Sequence, residues 1–415
     1  MYIKIFCIIC LAWIFIGMNE VAVPAAEVIY MDYKGFLAGE SIQMALGDTT
    51  VENSTILGYG GYQWYVVGLG DEGINASDDA AALTLFSSEP DFGKSVFSDL
   101  DTSVYAGSVL QAKMERIYEQ LPLAESSMIL PRVLSDTADK KPVKNQYIWP
   151  LSYEEGTLIS AGWYGARTYG DRSEFWWLRT QGDTEQNIVA GSYKIVFEKG
   201  SNVAQSYFVR PAMTIDTSQV LFVSAAVGGK QFEAGSSMMK YVSDTSLKMT
   251  VIDDDMSPKF EADVVVGAAE EVTVTYRNVQ LPEDTKEYTL SALLRTQEGT
   301  VSYYGKLKEL GETEEEGTAV LTLPQQAADT DELLLFVEQH NGDNSTDFAS
   351  TPVTVEVAKL TDKELRGTVV SGTSDATEEG SGQNDENVLL VVTVIAVIAV
   401  VIVGRIILRK RVSSD

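Results

Sequence analysis

Phe175-Trp176-Trp177-Leu178-Arg179-Thr180 and Val209-Arg210-Pro211-Ala212 are the segments from which the fold is read. Each is a largely apolar run carrying one arginine, and each reads as part of a strand. Around them, Glu174 to Thr180, Gln186 to Ala190, Ser192 to Glu198, Gln205 to Ile215 and Val220 to Ser224 form a series of predicted strands. Upstream lie Gln63 to Gly68 and Ala82 to Ser87, also β-rich.

Two helices are expected between these groups. Leu110, Met114, Ile117, Tyr118 and Leu121 follow a 3.6-residue period, with Ser108 placed to cap the start and Pro122 just past the end. Ser152-Tyr153-Glu154-Glu155 fits a capping box, and Leu158 and Ile159 supply the buried side of that second helix. Helices grouped mid-chain and flanked by hairpins indicate an α+β unit. Beyond about residue 240 the pattern changes to strand after strand. Val272, Val274 and Tyr276 alternate with Thr273 and Thr275, and similar runs recur to Val357 without a tryptophan. Six or seven short strands predict an immunoglobulin-like sandwich without a cysteine pair.

The ends place the chain in a compartment. Lys4, an apolar run from Ile5 to Gly17, and Val23-Pro24-Ala25-Ala26 read as a cleavable signal peptide over residues 1–26. Val388 to Val403 carries no charge, and the run resumes to Leu408 before Arg409-Lys410-Arg411. This predicts a single transmembrane helix over 387–408, a cytoplasmic tail over 409–415, and the bulk of the chain outside. The domain order expected is an α+β unit at 27–225, a linker at 226–239, the sandwich at 240–360, and an acidic Gly/Ser/Thr stalk at 361–386.

Composition excludes several chemistries. The 415 residues hold 31 Lys+Arg against 60 Asp+Glu, a net charge of −29, which argues against nucleic acid as a partner. The two cysteines, Cys7 and Cys10, both fall in the leader, and there is one histidine, His340. Cysteine nucleophiles and Cys/His zinc sites are therefore not expected, nor is any cofactor or metal. His340 reads as a surface residue where a strand runs into a turn. Asp253-Asp254-Asp255 and Asp343-Asn344 are the densest short oxygen clusters and read as solvated turns, with calcium binding the competing reading. No pair among the carboxylates is singled out, so the expectation is a protein that is not an enzyme; a carboxylate-based glycoside hydrolase is the least favoured alternative.

The Trp-Leu-Arg-Thr and Val-Arg-Pro-Ala segments resemble a family of secreted bacterial proteins, domain of unknown function six-two-seven-three. Trp64, Tyr105-Ala106-Gly107-Ser108 and Trp149-Pro150-Leu151-Ser152 match upstream pieces, so the likeness covers about residues 55 to 225. Thr180-Gln181-Gly182 departs from that family's usual Ser-Pro-Gly. The order of elements is also similar to a C-type-lectin-like fold. The resemblance implies that Trp64, Trp176, Trp177, Arg179, Arg210 and Pro211 are architectural. For the arginines, a carboxylate or sulfate clamp is the competing reading.

The candidate ligand site is the loop bearing Trp163, Tyr164, Arg167, Tyr169 and Arg172, whose aromatic and charged side chains suit sugar stacking or a protein partner. Packing of Trp163 beneath the loop is the structural alternative. The function expected is a membrane-anchored bacterial surface protein binding an extracellular glycan or protein. A structural or assembly role in the cell envelope is the alternative.

Overall fold

The computed structural model describes residues 31–32, 56–69, 72–74, 82–89, 91–156, 175–191, 196–230, 232–240, 246–253, 256, 260–267, 271–282, 286–297, 301–311 and 315–374. The described residues form one compact unit. Within it, strands far outnumber helices.

The first half begins with a hairpin, Ile56–Tyr59 against Tyr62–Leu69. Its two-residue turn is Gly60-Gly61, both with positive φ (62° and 84°), a backbone that glycine adopts without steric cost. Ala82–Ser87, Pro211–Asp216 and Ile148–Pro150 add in turn to Tyr62–Leu69, all antiparallel. A second sheet of five strands holds Trp176–Gln181 between Asn187–Gly191 and Tyr207–Phe208. The Gln205 to Ile215 run is thus broken at Val209-Arg210 and feeds two sheets.

The main helix is Val109–Gln120. Ser108 Oγ accepts the Gln111 N–H at 3.0 Å, and Gln111 Oε1 accepts the Gly107 N–H at 2.7 Å, so the first turn is closed from both sides. Leu110, Met114 and Ile117 turn into the core. A short helix, Leu123–Ser127, follows at once behind Pro122.

The second half is two packed sheets. One holds Gly317–Thr322, Glu271–Arg277, Glu261–Val266 and Val369–Ser371. Val264, Val272, Val274 and Leu321 on it share a core with Leu290, Ala292, Leu333 and Leu335 of the facing strands Glu287–Arg295 and Glu332–His340. Those two facing strands are buried on their other side as well, where Leu293, Leu334 and Phe336 meet Phe222 and Tyr304. Burial on both faces removes the apolar-polar alternation, leaving seven consecutive buried positions in each.

The expected α+β lectin-like unit is overturned by a fold that is mostly strand, and the β-rich second half fits the expected sandwich in part but is not a separate unit. A sheet of 16 strands, counted among the described residues, runs through both halves. Its joint is Ser246–Ile252, which pairs with Val220–Ala225 and Ile56–Tyr59 of the first half and with Asp347–Ala349 of the second. Leu247, Met249 and Val251 face the large core while Lys248 and Thr250 are buried on the opposite face. The strand pattern alone does not announce this, because both of its faces are covered.

Two other boundaries also change. The 226–239 segment is no free linker: Ala226, Lys230 and Met238 are buried, and Met239–Lys240 pairs with Val301–Leu310. The first part of the expected stalk is folded, since Val369–Ser371 pairs with Glu261–Val266 and Thr373–Ser374 with Val353–Glu356. The predicted signal peptide and the apolar 387–408 segment lie outside the described residues. Among the described residues no helix is long and apolar enough to cross a membrane, so the single transmembrane helix is not part of the observed fold.

Candidate functional site

The predicted binding loop residues Trp163, Tyr164, Arg167, Tyr169 and Arg172 lie outside the described residues. The six motif residues are all described, and their partners lie within the fold. Trp64 Nε1 donates to Tyr59 O at 2.8 Å, and Trp177 Nε1 donates to Ser95 O at 2.8 Å. Pro211 pairs with Pro150 at the edge of the main sheet. Arg210 is buried with its guanidinium over the rings of Phe86 (4.5 Å) and Trp176 (4.7 Å), and it donates to the carbonyls of Ser87 and Ser88. Burial in this setting lowers its pKa to about 10.

Arg179 is held by ion pairs. It grips Asp136 in a two-pronged contact, 2.8 Å on each arm, and reaches Glu155 Oε2 at 2.6 Å. Glu155 also receives Arg132 at 2.6 Å and closes the capping box with Ser152, whose N–H it accepts at 2.9 Å. Burial alone would raise the Glu155 pKa, but Arg179 and Arg132 override it and bring it down to about 2. Arg179 is engaged through Nε, Nη1 and Nη2, whereas Arg210 uses Nε and Nη2 and leaves Nη1 buried without an acceptor.

The strongest concentration of charge lies elsewhere, on the smaller-core side of the long sheet. Strand register brings it together. Phe222 sits beside Thr250, and Thr250 beside Asp347, on three adjacent strands. Glu338 and His340 lie on one face of Glu332–His340, with Glu338 opposite Thr289. Lys230 enters from the 226–230 segment. Its Nζ donates to Thr250 Oγ1 (2.5 Å), to Asp347 Oδ2 (2.8 Å) and to Glu338 Oε1.

Each carboxylate has further partners. Asp347 Oδ1 receives Lys248 Nζ at 2.7 Å and the Asn341 backbone N–H at 2.7 Å. Glu338 Oε2 accepts the Tyr304 hydroxyl at 2.6 Å. Lys230, Lys248, Glu338 and Asp347 are all buried, and two positive charges balance two negative ones. Burial would favour a neutral Lys230 amine, yet Asp347 and Glu338 outweigh it and raise the pKa. Burial lowers that of Lys248. Burial would raise the Glu338 carboxyl, but Lys230 holds it down at about 2.

His340 belongs to this cluster and is not the surface residue that the sequence predicts. Only 10% of its side chain is exposed, and Nε2 lies 2.8 Å from Thr289 Oγ1. Burial pushes its pKa down, so it is neutral at pH 7. Glu338, His340 and Asp347 could by distance hold a cation. Lys230 Nζ already stands between the two carboxylates, where such an ion would sit. Glu338 carries the one legible signal, an acid directly after the apolar run Leu333-Leu334-Leu335-Phe336-Val337. Lys230 and Asp347 lie in turn-rich segments and carry none.

A cleft of about 760 Å³ is lined in part by Gln339, Asn341, Ser345 and Phe348, close in sequence to Asp347. Leu123 and Met128 form an apolar wall, while Gln219, Lys286, Gln339 and Asn341 supply donors and acceptors. Asn341 links cleft and cluster: its side-chain oxygen accepts Lys286 Nζ at 3.1 Å, while its backbone N–H holds Asp347. The cleft combines amide groups and an apolar wall with the charged residues Glu125, Asp216, Asp253 and Lys286. No family model matches the chain, and no curated protein matches it.

Proposed function

We propose that this chain is an exported bacterial binding protein that takes an extracellular glycan or protein segment into the cleft beside Asn341. The observation that carries this reading is the cleft itself, with its apolar wall at Leu123 and amide groups at Gln219, Gln339 and Asn341. Leu123 is 85% exposed and offers an apolar contact within the cleft. The acidic balance of the chain disfavours polyanions as ligands.

A soluble form ending at Ser374 is to be screened on a glycan array and against surface extracts. Binding is expected, and it should weaken at least about tenfold in Leu123→Asp, a loss of about 1.4 kcal/mol. Binding that survives Leu123→Asp and Lys286→Glu unchanged would remove the cleft from consideration.

A further inference from the structure

We propose that Lys230 and Asp347 join through their side chains as an intramolecular amide, with Glu338 as the proton-carrying catalytic residue. The reacting groups are already in contact: Lys230 Nζ lies 2.8 Å from Asp347 Oδ2. They sit in a pocket that excludes water, for Glu338 and Asp347 are fully buried and Lys230 nearly so. Phe222 covers the ammonium, its ring centre 4.5 Å from Nζ, and Tyr304 stands 5.7 Å away. Two reactants fixed at contact distance react with the advantage of a very high effective concentration. In water the ionised acid and amine are well solvated and do not condense. Here both ions have lost that solvation, and forming the neutral amide removes one buried charge pair.

The surrounding groups match the steps. Glu338 accepts a proton from the Lys230 ammonium and passes it to Asp347 Oδ2. The freed amine lone pair attacks Asp347 Cγ, forming the C–N bond. Negative charge gathers on Asp347 Oδ1, where Lys248 Nζ and the Asn341 N–H, each at 2.7 Å, receive it. Glu338 takes the second proton from nitrogen and delivers it to the departing oxygen, which leaves as water. The balance is an ammonium plus a carboxylate giving an amide plus one water, with Glu338 ionised at the start and the end. No oxidant or other co-reactant is required. Tyr304 and Thr250, hydrogen-bonded to the two oxygens of Glu338, fix its orientation through both steps.

Asp347, not Glu338, is assigned as the acyl partner because only Asp347 has two charge-stabilising donors on its second oxygen. The bond would connect residues 117 apart, tying the segment before the second half to one of its last strands. Both cysteines lie in the first ten residues, so no disulfide can serve this purpose later in the chain.

Mass spectrometry of the purified full chain tests the proposal. The expected mass is one water below that calculated for its own N-terminus. Trypsin should fail to cut after Lys230 and release residues 200–240 branched to residues 309–359. Glu338→Gln should restore the full mass, and Lys230→Met should do so too. Asp347→Asn should still close, now with loss of ammonia. A wild-type chain that resists proteolysis as a folded protein yet has its full sequence mass and unbranched peptides would overturn the proposal. So would a branched peptide joining Lys230 to Glu338. The wild-type measurement decides the matter even if a variant fails to fold.

Discussion

The Glu125 carboxylate accepts the backbone N–H of Thr346 at 2.8 Å, 221 residues further along the chain. The same oxygen accepts the Gly60 N–H at 2.9 Å, and the Glu125 carbonyl receives the Tyr59 hydroxyl. One buried side chain on a five-residue helix thereby ties the first hairpin to the loop that precedes Asp347. Contact is equally close at Gly58, where an added Cβ would come within 2.5 Å of Asp343 O. The two halves are therefore parts of one folded body.

Glu125→Ala should destabilise the whole unit, because two backbone N–H groups would be left without an acceptor. Loss of hydrogen bonds to a charged group predicts about 3 kcal/mol. Equilibrium unfolding in urea checks this, and a single transition shared by fluorescence and circular dichroism is expected. Two separated transitions in the wild type would contradict the one-body account.

The Arg179 and Glu155 pair predicts an acid response. The folded-state pKa of Glu155 is depressed from 4.5 to about 2. Its contribution is therefore present above the unfolded-state value and is lost as pH falls from about 4.5 towards 2. Arg179→Met should flatten the dependence of stability on pH in that window and cost about 3 kcal/mol at pH 7. Urea midpoints measured at pH 7, 4 and 3 would show it.

Gly191 pairs with Trp176, and a Cβ there would lie 2.6 Å from the indole Nε1. Trp176 cannot move freely, since the Arg210 guanidinium lies against its ring. Gly191→Ala should therefore cost about 1–3 kcal/mol through overpacking. A changed near-ultraviolet circular dichroism signal is expected with it, and an unaltered signal together with unaltered stability would contradict the packing described.

Ser108→Ala removes the cap of the Val109–Gln120 helix and should cost about 1 kcal/mol. Hydrogen exchange should quicken first at Gln111, whose N–H the Ser108 hydroxyl accepts. An unchanged exchange rate at Gln111 would show that the cap contributes nothing.

Local patterns were legible where one face of an element meets solvent or where neighbours in sequence complete a motif. The Val109–Gln120 helix follows from its apolar spacing, Ser108 and Pro122, all within one short segment. The Ser152 and Glu155 capping box is a three-residue relationship and forms as its spacing requires. Alternation in Glu271–Arg277 corresponds to its alternating burial, because one face of that strand is only partly covered. In Glu287–Arg295 and Glu332–His340 the same reasoning fails, since a second layer covers the far face.

The chain by itself determined its acidic balance, its lack of cysteine beyond residue 10, and the elements that depend on neighbours in sequence. Only the tertiary structure decided that Ser246–Ile252 joins the two halves and that Lys230, Glu338 and Asp347 meet. Periodicity records how one segment partitions between core and solvent, and carries no record of which distant segment covers it. Whether an acid at the end of an apolar run faces water or a buried amine is settled by what packs above it. For Glu338 that is Lys230, 108 residues earlier in the chain.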